Sequence, residues 1–241
     1  MAKEVFNRYE HKYLLSAEVC KKVISELRAH MEPDLYNAGG KPYTIANIYY
    51  DTPDDYLIRN SLAKPVYKEK LRLRSYGVPK SGDMVFLEIK KKFNGIVNKR
   101  RTALFPAEAY YFVNTRTAPI FAPHINKQVL NELTYFLTRY TLLPKVYIAY
   151  DRLAFFEKDN DDLRISFDKN IRSRRYDLFL EKGDYGQQLL PPDMRLMEIK
   201  TSMAKPLWLT EILAKYKLNK TSFSKYGTEY ADSFCRLENV I

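Results

Sequence analysis

The chain has 241 residues, 46% of them apolar, enough to bury a full core in one large domain or two small ones. Forty basic residues against 29 acidic ones leave a formal charge of +11, so an anionic partner is expected: nucleic acid, a membrane surface, a nucleotide or polyphosphate. Two distant cysteines, Cys20 and Cys235, offer neither a disulfide framework nor metal spacing. The start carries no apolar leader, and the apolar stretch 130–150 is broken by Arg139, Pro144 and Lys145, so a cytoplasmic chain without a membrane span is expected.

In chain order, a strand is predicted over 5–15, followed by a helix that Ser16 caps and that runs to about His30. Gly39-Gly40 marks a turn before a strand at 43–50. Pro53 is placed to open a short helix through Leu62. Strands follow at 66–75, 84–93 and 96–104, the first two separated by a turn at 78–82. Pro106 opens a helix, and a longer helix covers 125–140. Strands at 145–156 and 163–167 come next. Pro191-Pro192 forms a loop before a strand at 195–200, and Pro206 opens a helix to about Leu218. Strands and helices do not alternate regularly, so the fold class is α+β. No repeat, low-complexity run or linker divides the chain, and residues 1–241 are expected to form a single domain.

The charges follow the two-residue period of a strand, in which alternate side chains share a face. Lys68, Lys70, Arg72 and Arg74 fall on one face of 66–75, against Tyr67, Leu71 and Leu73, with Glu69 as the charged exception. Glu88, Lys90 and Lys92 share a face with Phe86. Arg8, Glu10 and Lys12 align, as do Lys99 and Arg101, then Arg164, Ser166 and Asp168, and finally Glu198 and Lys200. A solvated face explains one such strand. Six strands with mainly Lys and Arg on one face would repel each other on an open sheet. A charged face turned inward around a polyanion and a metal, with the apolar face outward under helices, removes the conflict. Glu-x-Lys recurs at Glu10/Lys12, Glu88/Lys90 and Glu198/Lys200, each placing a hard oxygen ligand beside a phosphate-binding cation.

Several motifs in order carry a family resemblance: Arg8-Tyr-Glu-His-Lys-Tyr13, Ile48-Tyr-Tyr-Asp-Thr52, Lys70-Leu-Arg-Leu-Arg-Ser-Tyr-Gly77, Phe86-Leu-Glu-Ile-Lys90, Tyr150-Asp-Arg-Leu-Ala-Phe155, Leu163-Arg-Ile-Ser-Phe-Asp168, Leu196-Met-Glu-Ile-Lys200 and Ser222-Phe-Ser-Lys-Tyr226. From about Phe6 to Tyr230 the chain resembles the VTC domain, the polyphosphate polymerase branch of the CYTH, or triphosphate tunnel metalloenzyme, superfamily. The resemblance implies an eight-stranded antiparallel β-barrel tunnel with a basic interior and helices outside. It implies catalytic roles for Lys12, Arg72, Arg74, Lys90, Arg164 and Lys225, and substrate contacts from Arg8, Lys70, Lys99, Arg101, Arg152 and Ser224. It further implies a divalent metal, Mn2+ or Mg2+, on Glu198 with Glu88 and Glu10 in support. Arg8 stands where the wider superfamily has a first glutamate, a change that favours a longer anion. The membrane helices and inositol-phosphate-sensing domain of the eukaryotic polymerases are missing from this sequence, which leaves any membrane partner open.

The expected partners are ATP or another triphosphate and inorganic polyphosphate. The first expectation for function is phosphoryl transfer from a nucleoside triphosphate to a growing polyphosphate. A tripolyphosphatase or nucleoside triphosphatase comes second, and a non-catalytic polyphosphate-binding module third. Nucleic-acid binding comes last, because the cations lie on alternating strand positions and not along a helix or an aromatic platform. No Walker loop is present. His11, His30 and His124 show no metal spacing, and both cysteines are expected to be buried.

Overall fold

The computed structural model describes residues 6–120, 122–158 and 160–238. An antiparallel sheet of eleven strands dominates it, with β1 Phe6–Ser16, β2 Met31–Pro33, β3 Tyr43–Asp51, β4 Tyr67–Tyr76, β5 Val85–Phe93, β6 Ile96–Leu104, β7 Leu143–Glu157, β8 Asn160–Arg174, β9 Gln187–Gln188, β10 Met194–Thr201 and β11 Lys220–Thr221. Six helices accompany it: α1 Ala17–Leu27, α2 Tyr56–Leu62, α3 Pro106–Thr115, α4 Lys127–Arg139, α5 Leu207–Lys215 and α6 Lys225–Glu238. The sheet runs β2-β7-β3-β4-β5-β6-β1-β10-β8-β9, β11 adds to β1, and β7 also pairs with β8. Eight strands were expected. The three others are two or three residues long, too short to show a period in sequence.

Helix ends follow their local chemistry. The Ser16 hydroxyl accepts the Val19 amide at 3.2 Å and starts α1, and the Asn126 side chain does the same for Val129 at α4. Pro106 occupies the first turn of α3, where no backbone donor is needed. At α2, Pro53 lies in the preceding turn and does not open the helix. The buried Asp51 carboxylate accepts the Leu57 and Ile58 amides at 2.8 and 2.9 Å instead. Helix α6 was not expected from sequence. Ser224 takes the Gly227 amide at its start, at 3.2 Å.

The two faces of the sheet separate by chemistry. Leu71, Leu73, Leu87 and Ile89 are fully buried and pack with Phe112 of α3 and Leu133 and Phe136 of α4. Glu69, the exception on this face, accepts the hydroxyls of Tyr67 at 2.6 Å and Tyr140 at 2.8 Å. Tyr13, Leu15, Ile165, Phe167, Met197 and Ile199 pack beneath α1 and α5. Cys20 is buried there, whereas Cys235 is exposed on α6, against expectation, because its helix packs through Tyr226 and Tyr230. The other face carries the alternating charges. It also carries Ile45, Val146, Ile148, Ile171 and Leu196, which pack against Ile58 of α2 and Tyr226 and Tyr230 of α6. No helix among the described residues is long and apolar enough to cross a membrane.

Candidate active site in a basic cavity

A cavity of about 1020 Å³ lies on the charged face and draws lining residues from all eight long strands and from the segment 221–226. Its cations include Lys12, Lys70, Arg72, Arg74, Lys90, Lys99, Arg101, Arg152, Arg164, Lys200 and Lys225, and its carboxylates are Glu10, Asp34 and Glu198. The period-two reading of β4 holds: Arg72 and Arg74 line the cavity while Leu71 and Leu73 sit under helices.

Two charge clusters form the wall. In the first, Glu88 is fully buried and accepts Arg72 Nε at 2.8 Å, with Arg72 Nη2 at 2.7 Å, Lys99 at 3.6 Å and Arg74 at 4.0 Å. Antiparallel register puts Arg72 opposite Glu88, and Glu88 opposite Arg101. Arg74 also donates to Asn47 Oδ1 at 2.9 Å and to the Tyr150 hydroxyl at 3.1 Å. Burial alone would raise the Glu88 pKa, but Arg72, Arg74 and Lys99 hold it well below the carboxylate range.

The second cluster centres on Glu198 and Asp168. Arg152 donates twice to Asp168, both at 2.7 Å, and once to Glu198 at 3.2 Å. Lys225 of α6 reaches Asp168 at 2.6 Å and Glu198 at 3.1 Å. Lys200 lies 3.5 Å and Lys12 3.9 Å from Glu198, and Lys12 donates to the Phe223 carbonyl at 2.8 Å. Burial works against ionised Glu198 as well, and Lys225, Lys200 and Arg152 overcome it. Beside this cluster Lys90 pairs with Glu10 at 2.7 Å. Tyr150 links the clusters, since its ring lies under Lys225 at 4.3 Å while its hydroxyl meets Arg74.

The remaining lysines are compensated less fully than the arginines of the two clusters. Lys70 meets the Ser224 hydroxyl at 3.5 Å and lies over the Tyr226 ring at 5.7 Å, and burial with Lys12, Lys90 and Lys68 nearby pushes its pKa down to about 7. Burial also lowers Lys200 to about 7 and Lys99 to about 8, despite neighbouring glutamates. Arg101 lies over the Phe86 ring at 4.5 Å, and Arg164 donates to Asp34 at 2.9 Å and to Tyr43 at 3.2 Å. An assembly this rich in desolvated cations is built for an anion of high charge.

Of the expected site residues, Arg8 is placed on β1 opposite Val97, but its side chain lies outside the described ones. The expected metal trio is not brought together. Glu88 is sealed behind its arginines and does not line the cavity, and the described residues contain no group of three or more His, Cys, Asp or Glu arranged for a metal. Glu10 and Glu198 do line the cavity, and two carboxylates suit a magnesium-like ion that completes its shell with phosphate oxygens and water. Asp168, Lys200 and Asp34 were not singled out as site residues. The alternation of Arg164, Ser166 and Asp168 and the third Glu-x-Lys were the available signals for the first two; nothing local marked Asp34.

A structure of a candidate adenylate cyclase from Bacillus halodurans is similar, with a TM-score of 0.57, 15% identity and coverage of 92% of this chain and 96% of that one. A candidate adenylyl cyclase from Hippeastrum, in which triphosphatase activity dominates, has a TM-score of 0.56 at 13% identity, covering 94% and 96%. These likenesses establish a shared fold. No curated protein matches the sequence. The model of the VTC domain matches residues 7–234, nearly the whole length, and this chain belongs to the VTC domain family.

Proposed function

We propose that this chain is a polyphosphate polymerase. It would hold the triphosphate of ATP or a similar nucleotide in the basic cavity and pass the terminal phosphoryl to the end of a growing phosphate chain. The observation that carries the reading is a cavity lined by residues of all eight long strands, with cations from seven of them and the carboxylates Glu10, Asp34 and Glu198 among them. The pairing of β7 with both β3 and β8 supports a tunnel walled by the eight long strands, with the whole chain acting as one unit.

Phosphoryl transfer asks the protein for position and charge neutralisation more than for covalent chemistry. Arg72 and Arg74, anchored by Glu88 and Asn47, present fixed guanidinium groups to phosphate oxygens. Lys12, Lys90 and Lys225 neutralise charge from the β1, β5 and α6 sides. Lys70, Lys99, Arg101, Arg152 and Arg164, with Ser224, extend the contact along the chain. Glu10 and Glu198 would hold a divalent ion, Mg2+ or Mn2+, which supplies further neutralisation of the phosphate oxygens. Asp168 fixes Arg152 and Lys225, so the cationic groups are set before substrate arrives.

Hydrolysis is the second reading, because the Hippeastrum protein of this fold is chiefly a triphosphatase. Incubation of the pure protein with ATP and manganese, followed by electrophoresis of the phosphate products, separates the two. A ladder of chains is expected. Orthophosphate alone would replace polymerase by hydrolase, and neither product would leave a binding module.

A further inference from the structure

The two ends of the cavity differ in chemistry. At one end, Tyr76 closes β4 and Phe86 pairs with Arg74 on β5, while Tyr43 opens β3. Tyr36 reaches the same rim from the 3₁₀ turn Leu35–Gly40. Ring centroids of Tyr36 and Tyr76 are 6.0 Å apart with planes only 9° from parallel, Tyr43 lies 6.0 and 6.1 Å from these two, and Tyr76 is 5.8 Å from Phe86. At the other end, near the β5–β6 hairpin, Lys68 pairs with Lys92, the cavity-lining residues of segments 61–68 and 92–97 include no aromatic ring, and the nearby rings of Phe223 and Tyr226 are half-buried and buried.

Tyr36 is 74% exposed and Tyr76 43% exposed. One exposed tyrosine needs no explanation, but a cluster of rings at the rim of a cation-lined cavity does. The rim is also held in place. The Asp34 carboxylate accepts the Tyr36 amide at 3.1 Å through one oxygen and Arg164 at 2.9 Å through the other, joining the aromatic turn to a cation of the cavity. Arg101 lies over Phe86 just inside the same mouth.

We infer that this rim is a nucleobase subsite: Tyr36 and Tyr76 stack on the base of a nucleoside triphosphate whose phosphates point inward toward Arg101, Arg164 and Arg74. The inference rests on the triphosphate reading above and gives it an orientation, with the phosphate chain directed toward the lysine mouth. A planar base has a π-face that any aromatic ring can cover, and flanking guanidinium groups add to the attraction.

The test compares ATP with inorganic tripolyphosphate by titration calorimetry, with metal chelated so that nothing turns over. The paired variant Tyr36→Ala with Tyr76→Ala is expected to bind ATP about 5- to 100-fold more weakly, the range for loss of base stacking. Its affinity for tripolyphosphate, which has no base, should stay within about twofold of the parent. The paired Phe variant keeps both rings and should bind both ligands like the parent. An Ala pair that leaves ATP binding unchanged, or that weakens both ligands equally, overturns the subsite while the triphosphate reading stands. A parent protein that binds neither ligand overturns both.

Discussion

Replacing Glu88 by glutamine separates a structural anion from a metal ligand. Glu88 is fully buried, within 2.8 Å of Arg72, 3.6 Å of Lys99 and 4.0 Å of Arg74. The Gln side chain keeps the shape and removes the charge, leaving these cations facing each other without compensation. Loss of one partner from a buried pair costs about 3–5 kcal/mol. In a domain of this size 1 kcal/mol moves the melting temperature by roughly 2–4 °C, so Glu88→Gln should melt about 6–20 °C lower. Tripolyphosphate brings back negative charge. A ligand at a thousand times its dissociation constant stabilises either folded protein by about 4 kcal/mol, and each tenfold tightening of binding by the uncompensated cations adds about 1.4 kcal/mol in the variant. The variant should therefore gain more from tripolyphosphate than the parent does, measured by thermal melts with sulfate at equal ionic strength as the control. If Glu88→Gln melts like the parent and loses only metal-dependent turnover, the anchoring role of Glu88 is refuted and a metal role restored.

Among the described residues Lys70 makes no ion pair and is crowded by Lys12, Lys90 and Lys68, so Lys70→Met should raise the melting temperature of the ligand-free protein while weakening tripolyphosphate binding; a lower melting temperature would contradict its placement among like charges. Leu73→Ala should cost about 2–5 kcal/mol by opening a cavity under α3 and α4, with the anion affinity of the folded fraction unchanged, as read by denaturant melts and calorimetry. Stability and affinity should respond to pH in opposite directions. Lys70 and Lys200 sit at about 7 in the folded protein against an ordinary 10.5. Between these values the unfolded chain holds more protons, so ligand-free stability should rise from pH 7 toward 10. Affinity for tripolyphosphate should fall as pH rises through about 7, because both lysines lose the charge the anion needs. Parallel trends in the two measurements would remove these lysines from the cavity.

Face, but not partnership, was legible in the sequence. The alternation through 66–75 assigned Arg72 and Arg74 to one side and Leu71 and Leu73 to the other, because a strand's period leaves only two choices. It could not show that Arg72 would meet Glu88, since that contact depends on the register between β4 and β5. Taken as a comb of repelling cations, the sequence implies that truncating Arg72 leaves ligand-free stability unharmed. With Glu88 beneath it, removal of Arg72 strands a buried carboxylate and should destabilise instead. The placement of the three glutamates was hidden for the same reason: three Glu-x-Lys tripeptides look alike locally, yet Glu88 is sealed in the wall while Glu10 and Glu198 face the cavity. Lys225 was read from its motif alone. Its contact with Asp168 crosses 57 positions of sequence and requires α6, whose start is set by a single serine hydroxyl.

The spacing on β4 has a consequence for movement. Lys68, Lys70, Arg72 and Arg74 recur every second residue, an interval of about 6.6 Å along the strand. A polyanion shifted by one interval loses a cation at its rear and meets another ahead, with the intermediate arrangement repeated. The cost of translation along this rail is small compared with the cost of leaving it. Such a wall retains a chain sideways while letting it slip lengthwise, which is one-dimensional diffusion within a single binding event. For the polymerase proposed above, vacating the transfer position for the next phosphoryl group would then require no dissociation, only a step along the strand.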